Sequence, residues 1–306
     1  KAKTITTLQN HGGSVPFVFN SQNSKLFKGK VSVTNGDFSF SFVVPKDIAY
    51  NFGKGKLSYY AENQVEDANG YCTDFYIGGT SDAYAEDTEG PEVELFMNDK
   101  SFVFGGITDE NPTLLAYVQD IHGINMVGNG IGHDIVAVLD DETDKSFVLN
   151  NYYEADLNSY QKGTIRFPFK DLKEGRHKLT LKVWDVYNNS REVVTEFNVV
   201  KSKDVVLSRV YNYPNPFTTY TEFWFEHNQA NKQLYAQVQV FTVTGKLVKT
   251  IEKNIYSEGF RSTSITWDGL DDFGDRLARG VYIYHLKVRA ENLSIADKYE
   301  KLVILR

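Results

Sequence analysis

One pattern recurs along this chain and leaves few folds open: apolar and polar residues in strict alternation, in short runs. Asp37-Phe38-Ser39-Phe40-Ser41-Phe42-Val43-Val44 puts three phenylalanines on one side and serines on the other. Lys178-Leu179-Thr180-Leu181-Lys182-Val183-Trp184 repeats the pattern, as does Gln237-Val238-Gln239-Val240-Phe241-Thr242-Val243. A period of two is the signature of a strand with one face buried, because successive side chains of extended chain point to opposite faces. Before the first run stands Thr34-Asn35-Gly36-Asp37. Asn-Gly tolerates the positive φ angles of a tight hairpin turn, so a hairpin is expected there. Only a short segment, 153–160, offers a competing helical pattern. Aromatic residues make up 14% of the chain, with 19 Tyr and 21 Phe, and flat side chains suit a pleated, half-buried surface. The chain reads as all-β.

At 306 residues the chain is longer than one ordinary domain. Small and acidic residues from Gly78 to Thr88, followed by Gly90-Pro91, read as a linker, and Glu92-Val93-Glu94-Leu95-Phe96 opens a new strand. A second break falls at Lys201-Ser202-Lys203-Asp204. The expected organisation is three tandem immunoglobulin-like β-sandwich domains, at 1–85, 90–200 and 205–306, each of a size that such a sandwich takes.

Composition excludes some functions. The formal charge is −7, with all of the excess acid in residues 1–203 and residues 204–306 near neutral, so no basic field exists to displace counterions from a phosphate backbone. Nucleic acid is not an expected partner. There is no apolar run long enough for a membrane-spanning helix. Lys1-Ala2-Lys3-Thr4 lacks the apolar core of a signal peptide, and the expectation is a mature or trimmed end.

Two sets of residues carry a resemblance. In the last unit Tyr211-Asn212-Tyr213-Pro214-Asn215-Pro216-Phe217 is followed by Val243-Thr244-Gly245-Lys246, by Trp267-Asp268-Gly269, and by Gly280-Val281-Tyr282-Ile283-Tyr284. That order resembles the C-terminal signal domain of type IX secretion in Bacteroidetes, in the variant similar to the immunoglobulin-like domain of the flagellar hook-capping protein. Pro214, Asn215, Pro216, Gly245, Trp267, Gly280 and Tyr282 are the motif residues. On their own chemistry, the two prolines remove backbone donors and belong to an edge or a loop. Gly245 suits a hairpin turn, and Trp267 a buried site beneath one. In the middle unit Ile121-His122-Gly123-Ile124-Asn125, Gly128-Asn129-Gly130-Ile131-Gly132-His133-Asp134 and Trp184-Asp185-Val186-Tyr187-Asn188-Asn189 resemble the C-terminal region of the gingipain-like surface sortases of that system, the PorU family. The resemblance spans the chain.

It implies a full protein that is a cysteine endopeptidase and transpeptidase with its catalytic domain N-terminal to such a region. That enzyme would remove signal domains from cargo and join the cargo to an anionic lipopolysaccharide. It would sit at the bacterial cell surface, tethered through its own signal domain to PorV, an integral outer-membrane barrel. The rival is a C-terminal fragment of an exported surface peptidase or adhesin, carried as cargo.

No catalytic constellation, cofactor site or metal site is expected within these residues. Cys72 is the only thiol, and nucleophilic use needs a histidine that the fold alone could bring to it; an inert, buried thiol is the expectation. Gly128–Asp134 lacks the Lys-Ser/Thr of a phosphate loop, and His133 beside Asp134 is too little for a metal site. The clusters Asp140, Asp141, Glu142, Asp144 and Asp268, Asp271, Asp272, Asp275 lack the spacing of a helix-loop-helix calcium loop and read as solvated hairpin tips. The end of the chain, Lys298, Lys301, Leu302, Val303, Ile304, Leu305 and Arg306, reads as a final edge strand with local cations. Such an edge has backbone groups free to pair with a partner, and the resemblance makes that partner the barrel.

Overall fold

A computed structural model describes residues 3–7, 15–21, 25–46, 52–79, 86–127, 132–201 and 204–305. It is all-β. Among the described residues the only helical turns are single 3-10 turns at Thr143–Lys145 and Asn150–Tyr152.

The first region holds β1 (Lys3–Thr6), β2 (Val18–Ser21), β3 (Gly53–Lys54), β4 (Leu57–Glu62), β5 (Asp67–Cys72) and β6 (Tyr76–Ile77). They form three separate two-stranded sheets, β1-β2, β3-β6 and β4-β5. The Asn-Gly turn forms as expected. Asn35 and Gly36 take φ of 53° and 88°, and Thr34 and Asp37 exchange backbone hydrogen bonds of 2.9 and 3.0 Å. The run after it differs from expectation, because Phe38–Val44 joins no ladder. Its rings stack instead. Phe38, Phe40 and Phe42 succeed one another at 6.5 and 6.2 Å, and Phe42 lies 4.9 Å from Phe27. That spacing of alternate residues is the one extended chain imposes.

This first stretch is also bound to the middle unit. Phe27 packs on the core of that unit. The Ser32 N–H donates to Asn158 Oδ1 at 2.8 Å, the Asn158 N–H to the Lys30 carbonyl at 2.9 Å, and the Lys46 N–H to the Val186 carbonyl at 3.0 Å. Lys30 pairs with Glu154.

The middle unit comprises β7 (Glu92–Met97), β8 (Gly106–Thr108), β9 (Thr113–Gln119), β10 (Val136–Leu139), β11 (Phe147–Val148), β12 (Tyr153–Ala155), β13 (Lys162–Pro168), β14 (Gly175–Trp184) and β15 (Ser190–Val199). Two sheets, β11-β10-β14-β15-β8 and β12-β13-β9-β7, face each other. The alternation of β14 is realised: His177, Leu179, Leu181 and Val183 are buried, and the residues between them are partly exposed. The 153–160 segment, a helical candidate in the sequence, opens as strand β12, which pairs with β13. Cross-strand pairing and burial of Tyr153 and Ala155 outweigh a weak local preference.

The last unit comprises β16 (Leu207–Tyr213), β17 (Thr221–His227), β18 (Lys232–Thr242), β19 (Leu247–Ser257), β20 (Ile265–Trp267), β21 (Gly280–Ala290) and β22 (Ile295–Ile304). Sheet β16-β17-β20 covers sheet β19-β18-β21-β22. Between them lie Phe223, Phe225, Val238, Val240, Tyr284, Leu286, Leu302 and Ile304, all at most 1% exposed.

Candidate functional site

Of the residues singled out in the sequence, Pro214, Asn215, Pro216, Gly280 and Tyr282 come together at the end of the last strand. β22 runs antiparallel to β21, with Gly280 opposite Ile304 and Tyr282 opposite Leu302. On its other side, where a terminal strand would be free, the Pro214–Phe217 segment lies against it. The Phe217 N–H donates to the Val303 carbonyl at 3.0 Å, and the Leu305 N–H to the Phe217 carbonyl at 2.9 Å. Asn215 closes the gap with its side chain. Its Nδ2 donates to the Lys301 carbonyl (3.0 Å) and to Asn212 Oδ1 (3.1 Å), and its Oδ1 accepts the Val303 N–H (3.0 Å). The prolines suit this position: with no N–H of their own, they leave no donor unpaired beside the strand.

Phe217 then turns inward onto Trp267, ring centroids 5.7 Å apart, and Trp267 stacks near Phe223 at 6.3 Å. Trp267 is 3% exposed, and its indole N–H donates to the Leu270 carbonyl at 2.9 Å, so the buried ring keeps its one polar atom satisfied. Tyr282 donates its hydroxyl to the Ala278 carbonyl at 2.9 Å. Gly245 has φ +84° in the turn between β18 and β19. A Cβ disfavours that left-handed angle, which is why glycine occupies the turn.

The expected docking strand needs correcting in two respects. Leu302 and Ile304 are 0% exposed and form part of the sandwich core, so their side chains offer nothing to a partner. The outer backbone edge at Lys301, Val303 and Leu305 is already paired with Asn215 and Phe217. The surface that remains is the side chains of Lys298, Lys301 and Leu305, the half-buried Val303, and the earlier part of β22. Lys298 shares an ion pair of 3.6 Å with Glu300. Next to it His285 stacks on Tyr299 at 4.1 Å and its Nε2 lies 2.7 Å from Asp297. Arg306 lies outside the described residues. What misled the sequence reading is that a final run shows its own alternation and not the distant Pro-Asn-Pro segment that covers it.

Cys72 is exposed, not buried as expected. It ends β5, opposite Leu57 at the end of a two-stranded sheet. His133 packs edge-on against Trp184 at 4.4 Å, and burial raises the Asp134 carboxyl above its ordinary value. Residues 128–131 of that loop lie outside the described residues. The acidic clusters cap turns: Asp271 Oδ1 accepts the N–H groups of Phe273 and Asp275, each at 2.9 Å, and Asp141 pairs with Lys178 at 2.9 Å. Among the described residues one group has metal-ligand geometry, Asp87, Asp120 and His122, and the sequence reading missed it. Its signal was Asp120-Ile121-His122, whose third partner lies in the stretch read as linker. No helix among the described residues is long and apolar enough to cross a membrane.

No family model matches the chain, and no curated protein matches it. Among solved structures, fibronectin(III)-like modules of Clostridium thermocellum CbhA align at 8% identity, over 70% of this chain and 93% of that one, with a TM-score of 0.27. The chicken CNTN1 FN1–FN3 domains align at 8% identity over 67% and 66%, with a TM-score of 0.24. At such scores these overlays carry no argument. Dimeric latent PorU from Porphyromonas gingivalis aligns over 100% of this chain at 29% identity, with a TM-score of 0.39. The chain spans 28% of that PorU chain. By identity and coverage, this chain is similar to that PorU over its entire length.

Proposed function

We propose that the chain is the non-catalytic C-terminal region of a PorU-like cell-surface sortase, and that its last unit tethers the enzyme to an outer-membrane barrel of the PorV kind. The observation that carries this reading is the 29% identity over 100% of the chain, which includes the residues before the signal-domain motif. A cargo protein that merely shares the export domain would be similar over the last unit alone. In this reading the full protein removes C-terminal signal domains from secreted cargo, attaches the cargo to anionic lipopolysaccharide, and works at the extracellular side of the outer membrane. The region presents the enzyme through three units divided near residues 85–90 and 201–204. The docking face is the exposed flank of β22, with Lys298, Lys301 and Leu305 as contacts and Asn215 holding the strand in place.

The test is binding of the chain to the purified barrel. Lys298→Glu with Lys301→Glu should slow association several-fold at low salt and less at high salt, because exposed charges act chiefly on encounter. Leu305→Asp should speed dissociation. Truncation at Lys301 is the wrong instrument, since it removes core residues Leu302 and Ile304. Unchanged rates in both side-chain variants would move the interface off β22. Cleavage of a signal-domain substrate by the isolated chain, abolished in Cys72→Ala, would overturn the non-catalytic reading.

A further inference from the structure

Three loops meet where the first region joins the middle unit: the segment before β7, the turn after β9 and the turn between β14 and β15. Each brings a carboxylate. Asp87 Oδ2 lies 2.7 Å from His122 Nδ1, and one ligand atom from each of Asp87, Asp120 and His122 falls within 4.8 Å of the others. Asp185, fully buried, accepts a hydrogen bond from Asn189 Nδ2 at 2.8 Å, and the same amide donates to the Asp87 carbonyl at 3.1 Å.

Two carboxylate oxygens and one imidazole nitrogen within 4.8 Å of one another are a ligand set that a single cation can bridge. Asp185 takes the N–H of Tyr187 (2.9 Å) and of Asn189 (2.7 Å), and Asp120 takes those of His122 (2.7 Å) and Gly123 (3.0 Å). These bonds hold Asp120 by one oxygen and fix its direction, as second-sphere bonds do for metal ligands, whereas Asp185 is bonded through both oxygens. The side chains of Asp87 and His122 are 9% and 25% exposed, so the facing pair is largely shielded from water.

We infer that Asp87, Asp120 and His122 form a divalent-cation site that fastens the segment before β7 to the middle unit, braced by Asn189 between Asp87 and Asp185. One imidazole nitrogen with two carboxylate oxygens is a mixed set. It fits a first-row ion such as Zn²⁺ or Mn²⁺ better than Ca²⁺, which takes six to eight oxygens. Binding requires an unprotonated His122 Nδ1, so an ion would take the place of the 2.7 Å contact between that nitrogen and Asp87. The role is structural. Asn189 Nδ2 already donates to the Asp87 carbonyl at 3.1 Å, the Val186 N–H donates to the Gly123 carbonyl at 3.1 Å, and the Val186 carbonyl accepts the Lys46 N–H. The ion would tie these loops and residue 87 together at one point. This inference does not depend on the sortase reading.

The test uses the whole 306-residue chain, stripped with EDTA, in calorimetric titrations with ZnCl₂, MnCl₂ and CaCl₂ at pH 7. One equivalent of Zn²⁺ or Mn²⁺ should bind, at least tenfold more tightly than Ca²⁺. His122→Ala and Asp87→Asn should each weaken binding tenfold or more. Asp271→Asn with Asp272→Asn, in an acidic turn of the last unit, should leave it unchanged. Bound ion should also slow proteolysis within residues 78–90, and Asp87→Asn should abolish that protection. Asp87 lies outside any strand, so its variant remains informative if His122→Ala misfolds. No binding up to millimolar metal, or binding that Asp87→Asn leaves intact, would overturn the site. Tighter binding of Ca²⁺ than of Zn²⁺ or Mn²⁺ would overturn the ion class.

Discussion

The first eighty residues and the last hundred are written in the same alternating code, yet they fold to different degrees. In the last unit two sheets close on each other, and Phe223, Phe225 and Tyr284 reach zero or near-zero exposure. In residues 3–79 the described strands pair only two by two, and Phe38 and Phe40 remain 39% and 41% exposed. The difference lies in whether a second apolar face is available to cover the first. A single two-stranded sheet has no such face and is marginal in water. The first region instead lines its rings up along the chain and anchors the row through Phe27 on the neighbouring core.

The contrast predicts very different sensitivities to losing an aromatic ring. Trp267→Ala should cost the last unit about 3–5 kcal/mol, because the ring is buried among Phe217 and Phe223 and nothing else fills its volume. Phe40→Ala should cost about 1 kcal/mol or less, the scale of a partly exposed stacked pair. Denaturant unfolding of both variants measures this. Equal losses would mean that the first region has a closed core after all.

A second difference is acid sensitivity. His227 is fully buried at the end of β17, where its Nδ1 accepts the Gln229 N–H at 3.2 Å and its Nε2 has no partner. Burial lowers its pKa to about 4 from the ordinary 6.5. The folded value lies below the unfolded one, so the neutral ring contributes its full stability above pH 6.5. That contribution is lost as pH falls towards 4, because the unfolded chain takes up the proton first. The drop is on the order of 3 kcal/mol across that window. His227→Gln should flatten the curve there when stability of the two chains is compared at successive pH values. A parallel pair of curves would place the acid sensitivity elsewhere.

Asn215 gives the smallest of the large effects. Asn215→Ala removes three hydrogen bonds, two of them to the last strand, and leaves backbone groups of Lys301 and Val303 without their partner, at a cost of about 1–3 kcal/mol. Amide exchange at Val303 should quicken most. If instead it is Leu305 that quickens while Val303 stays protected, Phe217 rather than Asn215 holds the strand.

The sequence showed some of this and concealed the rest for reasons that differ by residue. Gly36 and Gly245 were readable because turn geometry is local. The alternation of β14 and β18 was readable because one buried face imposes a period of two on the chain itself. Phe38–Val44 has the same period and no ladder, because pairing needs a neighbour that the run does not encode. Leu302 and Ile304 alternate as an edge strand would. Their burial depends on β17 and on Phe217, some eighty residues upstream. Asp87 sits among small acidic residues that resemble any linker, and only the meeting of three loops places it beside His122.

What the sequence by itself determined is the β character and the tight turns, set by interactions within a few residues. The tertiary structure alone decided which strand edges are closed, which alternating faces are covered and which acids share a site. Those outcomes depend on contacts between segments far apart in the chain, and a local pattern is the same whether or not its partner arrives.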